Sequence, residues 1–204
     1  VSNTLFGGNG NRQEDYGLYA TGPGTVLAVT GSTLEDNKGH GFYASGLVSI
    51  IDTIFRGNSL DALTASGVVS VTGSTFEDNG GDALYLDSGI GTVANSTFDG
   101  NGGFGLYAAS AAVTFTHNTI QNNEWSVGVD PDNLDGIIYH DNTISSNTHN
   151  RLALGAGSVL SGTHLSLIDL EGHKGYVLAG DVSVSVTVTL TVDPGVTVMG
   201  GNNV

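Results

Sequence analysis

From Ser74 to Leu86 the chain reads STFEDNGGDALYL, and one short step further on, from Ser96 to Ala108, it reads STFDGNGGFGLYA. A unit that returns so soon is too small to bury an apolar face by itself, so it must stack on its neighbours, which confines the chain to a solenoid or a related array. Each unit carries an Asn three positions after an apolar or aromatic residue: Asn9, Asn37, Asn58, Asn79, Asn101, Asn123 and Asn147 follow Phe6, Leu34, Phe55, Phe76, Phe98, Ile120 and Ile144. Each interval from one of these Asn to the next is about one solenoid coil.

Four positions after most of these Asn a small residue (Gly41, Ala62, Ala83, Gly105) opens a short apolar stretch, FYA, LTA, LYL or LYA. After Asn9 the same point, Gly17, comes four positions late, with NRQED inserted, and the step from Asn123 to Asn147 carries DPDNLDG from Asp130 to Gly136. Insertions of this kind emerge as loops on one face, often the functional one. Each unit holds a second apolar stretch (TVLAV, LVSII, VVSV, IGTVA, AVTF, GIIY), separated by turn-forming residues. Helical spacing is absent. Gly is 32 of 204 residues and charged residues only 12%, so the expectation is an all-β chain whose short strands each pair in parallel with the coil above and below.

Apolar residue, three steps, Asn, then Gly-apolar-x-small resembles the repeat of the right-handed parallel β-helices of the pectate-lyase-like superfamily, over residues 1 to about 160. The resemblance implies a solenoid of about nine coils of 21–24 residues, with an inward Asn stacked on its equivalents at one corner, of the kind found in secreted and cell-surface proteins. An Asn at a tight corner tolerates the left-handed conformation, and its amide can bond the amides above and below. The ladder is therefore scaffold.

Residues 1–174 read as coils with this ladder, and 175–204 as a different block. Val182, Val184, Val186, Val188, Leu190 and Val192 alternate strictly with Ser and Thr, the pattern of a half-buried strand, and DPG then turns the chain. The block resembles the opening segment of many secreted β-helix domains. Three readings stand: a piece of a longer surface protein, head-to-tail stacking into a filament, or one long strand pairing with a neighbouring chain.

With 20 acidic against 5 basic residues the net charge is −15, which argues against nucleic acid and anionic membrane as partners. There is no cysteine, hence no disulfide or thiolate metal site. No apolar run approaches the roughly 20 residues of a membrane span, and Val1 opens without a basic or apolar leader pattern, so any secretion signal is expected to have been removed already.

Lyases of the resembling superfamily take a proton with a basic residue, usually beside calcium, and its glycosidases use a pair of acids. Only Arg12, Lys38, Arg56, Arg151 and Lys174 are available as bases. None falls in a cluster with acids on one strand face and a second base beside it, and the polygalacturonase motifs have no match, so no catalytic residue is assigned. In register, Glu35, Arg56, Glu77 and Asp99 share one slot on consecutive coils, which reads as a surface ion-pair ladder with a calcium option at Glu77 and Asp99. Asp130, Asp132 and Asp135 in DPDNLDG offer another acidic loop, but the EF-hand spacing is off by one and no bidentate Glu closes it. No cofactor is required on this reading; calcium is an option. His117 and His140 lie on successive coils without sharing a slot.

In FYA, LYL and LYA the outer residues suit the core, so Tyr19, Tyr43, Tyr85 and Tyr107 should point outward in one column that Thr64 interrupts. The column is a platform for glycan or for a second solenoid, or a cross-strand stack that stabilises the sheet. The expectation is a non-catalytic, extracellular or cell-surface structural or adhesive unit whose partner is itself or a surface glycan. The alternative is a carbohydrate-active β-helix, either an acidic-polysaccharide lyase or a glycan-binding module.

Overall fold

The computed structural model describes residues 1–10, 15–22, 24–160, 162–165, 169–170 and 172–200; Arg12 and most of the NRQED insertion lie outside them. Two stacks of parallel strands run the length of a solenoid. One holds seven short strands, Leu5–Gly7, Thr33–Glu35, Ile54–Arg56, Thr75–Glu77, Thr97–Asp99, Thr119–Gln121 and Thr143–Ser145. Each turns its central side chain inward, and Phe55, Phe76 and Phe98 stack with centroids 4.7 and 4.9 Å apart, fully buried.

The second stack is nine strands deep: Leu18–Ala20, Phe42–Ile51, Leu63–Thr72, Leu84–Ala94, Phe104–Thr116, Trp125–Val129, Leu152–Leu154, Tyr176–Leu178 and Val198–Gly200. Its longer members join the two apolar stretches of a coil that the sequence pattern separates. They bend where Gly46, Gly67 and Gly89 take φ of 115°, 102° and 102° in register, and Leu84–Ala94 absorbs one extra residue, Asp87, as a bulge just before the bend. A Cβ on Gly67 would stand 2.5 Å from the Gly46 carbonyl oxygen, so this rung excludes any side chain, whereas the rung paired with Gly89 is filled by Ala111.

The Asn ladder is present. From Asn37 to Asn123 each buried side-chain amide donates to the Oδ1 of the next ladder Asn, at 2.7–3.0 Å, and the backbone N–H beside it donates to the same oxygen. The left-handed corner, however, belongs to the residue before each Asn (Asp36, Gly57, Asp78, Gly100, Asn122, Ser146) rather than to the Asn itself. That division has a reason: the corner residue faces out and turns the chain, which leaves the Asn side chain free to point inward.

A second polar ladder stands at the opposite corner of the short strands. Ser32, Thr53, Ser74, Ser96, Asn118 and Asn142 are buried. From Thr53 to Asn118, each backbone N–H donates to the side-chain oxygen of the next at 2.9–3.2 Å.

The alternation from Val182 to Val192 does not form one strand. Val182–Val184 pairs with Gly157–Val159, Val188 N–H donates to the Ser185 carbonyl in a turn, Thr187 takes φ 74°, and Leu190–Val192 pairs with Thr163–Leu165. The coil beneath dictates the corner, and a period-2 pattern cannot encode where that corner falls.

Candidate functional site

Two outward columns run side by side over the nine-strand stack. In the first, Tyr19, Tyr43, Thr64, Tyr85 and Tyr107 are paired in register. Tyr19 stacks on Tyr43 at 5.4 Å and Tyr85 on Tyr107 at 5.5 Å, with Thr64 between the two pairs. The outward facing read from the alternation is therefore the facing observed, Tyr19 being the most exposed and the others half-buried.

The second column occupies the position three before each member of the first: Tyr16, His40, Asp61, Asp82 and Phe104, continued by Trp125 and then by His149, which is buried. Pattern reading missed it because the corner at this point breaks the alternation; the constant offset of three from each Tyr was the available signal. Tyr16 packs against Tyr19, His40 and Tyr43, while Phe104, Trp125 and His149 stack at 5.6 and 3.8 Å.

Polar groups gather where Thr64 interrupts the tyrosines. His40 Nδ1 lies 3.3 Å from Asp61 Oδ2 and 3.2 Å from the Thr64 hydroxyl, which itself donates to Asp61 at 3.0 Å. Asp61 Oδ1 accepts the Asp82 backbone N–H, and Asp82 Oδ1 accepts that of Phe104, both at 2.8 Å. The recurring Gly-Gly is explained here: side chains on Gly81 and Gly103 would strike those two carboxylate oxygens.

The environments of the two acids diverge. Burial works against the Asp61 charge, but His40, the Asp82 N–H and Thr64 outweigh it and hold its carboxyl below the ordinary range. Asp82 has no such set of donors; burial first and the neighbouring Asp61 second push it up to about 7, against one N–H from Phe104. Burial, with nearby acids, also raises Tyr85 and Tyr107.

The other sequence candidates are dispersed. Asp130 accepts the Tyr107 hydroxyl, Asp132 accepts the Leu160 N–H at 3.1 Å, and Asp135 is exposed on the short 3₁₀ turn Leu134–Gly136. Glu77 and Asp99 are in register, yet Asp99 already accepts amide protons from Gln121 and Asn122 at 2.8 and 2.7 Å. Arg56 Nε donates to Glu35 at 2.7 Å. Among the described residues no group of three His, Asp or Glu is arranged to hold a metal ion, and no helix is long and apolar enough to cross a membrane.

Residues 12–168 match the family described as right handed beta helix region. The chain belongs to the right-handed β-helix family. No curated protein and no solved structure matches it. Within this β-helix, the long sheet carries the two outward columns, and its Asn and Ser/Thr/Asn ladders hold the coils in the register that aligns them.

Proposed function

We propose that this β-helix is a non-catalytic adhesive unit, acting outside the cell or on its surface, that binds a glycan along the two outward columns. The observation that carries this reading is the rings themselves, two stacked groups, Tyr16, Tyr19, His40 and Tyr43 in one and Tyr85, Phe104, Tyr107 and Trp125 in the other, with acidic acceptors between them. Such rings offer a rigid apolar body with a polar tip, which suits a polyol chain and costs little side-chain entropy. Asp61 and Asp130 add hydrogen-bond acceptors along the same surface, while Asp82 is held protonated up to about pH 7. The charge kept on Asp61, with the net charge of −15, also disfavours a uronate polymer, because like charges would meet in a partly desolvated site.

The test is affinity electrophoresis through gels containing neutral polysaccharides such as xylan, glucomannan or hydroxyethylcellulose. Retardation of the wild type that disappears in Tyr43→Ala and Tyr85→Ala supports the reading. Unretarded migration of the wild type in every gel sinks it.

A further inference from the structure

The ring column ends at His149, and beside it lies a cavity of about 360 Å³. Glu124, Trp125 and His149 bound it on one side, and residues 178–181 with Gly200 on the other. Its volume is at the small end of ordinary ligand pockets, about 300–1,000 Å³.

The chemistry of the cavity is one-sided. Glu124 and Asp181 contribute two carboxylates, and no Lys or Arg is among its described lining residues. His149 is 8% exposed, and burial lowers its pKa against the opposing pull of Glu124, which works against a compensating charge there. Its ring is pinned against Trp125 at 3.8 Å, and its buried Nδ1 has no hydrogen-bond partner. An orphaned polar atom in a packed interior is rare enough to require a cause. The ring that carries it lines the cavity, and a donor on a bound ligand that draws the ring toward it would give Nδ1 its missing partner.

We infer that this cavity binds a small, positively charged ligand rich in N–H and O–H donors, a sugar residue bearing a free amine. The inference rests on the glycan-binding reading and deepens it, making the cavity the place where an amine-bearing residue of the bound glycan is recognised. An ammonium between Glu124 and Asp181 makes charge-assisted hydrogen bonds to both. An N-acetylated sugar lacks the charge, and a uronate meets repulsion.

Trp125 is the single tryptophan of the chain, so its emission reports on this end of the column and the cavity, and Asp181, which lines the cavity and lies outside the column, separates the two. The experiment titrates the full chain at about pH 5.5, below the ordinary pKa of an amine, with a glucosamine tetramer, its N-acetylated counterpart and a galacturonate tetramer. Binding is read in parallel by Trp125 emission and by calorimetry. The expected result is that the glucosamine tetramer shifts Trp125 emission and binds at least about tenfold more tightly than the N-acetylated one. Asp181→Asn and Glu124→Gln, both at exposed positions and both isosteric, should each weaken it about tenfold and narrow that preference. Equal binding of the glucosamine and N-acetylated tetramers, with unchanged Trp125 emission and no effect of Asp181→Asn, overturns the inference. If that binding is still lost in Tyr43→Ala and Tyr85→Ala, the glycan-binding face survives. No binding of any tetramer, together with no retardation by neutral polysaccharides, defeats both.

Discussion

Asn79→Ala tests the claim that side-chain ladders, and not apolar burial alone, hold the coils together. The Asn79 side chain makes five hydrogen bonds: its oxygen accepts the backbone and side-chain N–H groups of Asn58 at 3.1 and 2.8 Å, and its amide donates to Asn101 Oδ1, the Phe55 carbonyl and the Glu77 carbonyl at 2.9–3.1 Å. Truncation removes no large apolar group, but it strands two buried N–H donors on Asn58 at a residue only 2% exposed. At about 1–3 kcal/mol for each stranded donor, plus the net loss of the other bonds, the cost is roughly 3–5 kcal/mol. That corresponds to a fall in Tm of about 10 °C for a chain of this size. The control is Asn95→Ala, an exposed corner residue with φ 53°, where only the left-handed preference is lost, about 1 kcal/mol. Thermal melts followed by far-ultraviolet circular dichroism make the comparison. Equal shifts in the two variants would refute the ladder argument.

Other consequences can be measured on the same material. Gly67→Ala should destabilise by about 2–4 kcal/mol in urea, since its Cβ meets backbone at φ 102°. Ala111→Gly, at the rung paired with Gly89, should cost no more than about 1 kcal/mol. Asp82 is held protonated in the fold up to about pH 7 but ionises near 4 when unfolded, so the native state binds the extra proton between them and stability falls as pH rises through that window. Asp82→Asn should remove a slope amounting to a few kcal/mol, read by urea denaturation from about pH 4 to 8; an unchanged slope contradicts the assigned environment. Asp61 has the opposite sign: its depressed pKa contributes stability above the unfolded value, lost as pH falls through the folded one. His40→Ala should raise the Asp61 carboxyl pKa in a ¹³C-detected NMR titration, and no movement would remove His40 as its stabilising partner.

Periodicity alone determined the solenoid, its parallel pairing, the Asn ladder and the outward tyrosines, because a coil of nearly constant length must repeat whatever touches the next coil. The Ser/Thr/Asn ladder at Ser32, Thr53, Ser74, Ser96, Asn118 and Asn142 was also written there, hidden by a change of residue type that conserves only a side-chain oxygen. What the tertiary structure decided lies where neighbours, not local pattern, set the geometry. Whether Asn79 or Asp78 takes the left-handed corner, and where the alternating Val182–Val192 stretch breaks, depends on the coil beneath. The His40, Asp61, Thr64 and Asp82 cluster is assembled from three coils, and Glu124 meets Asp181 across a cavity although the two are far apart in the chain. Burial then sets the two aspartates apart, since the same residue type is charged where three donors surround it and protonated where one does.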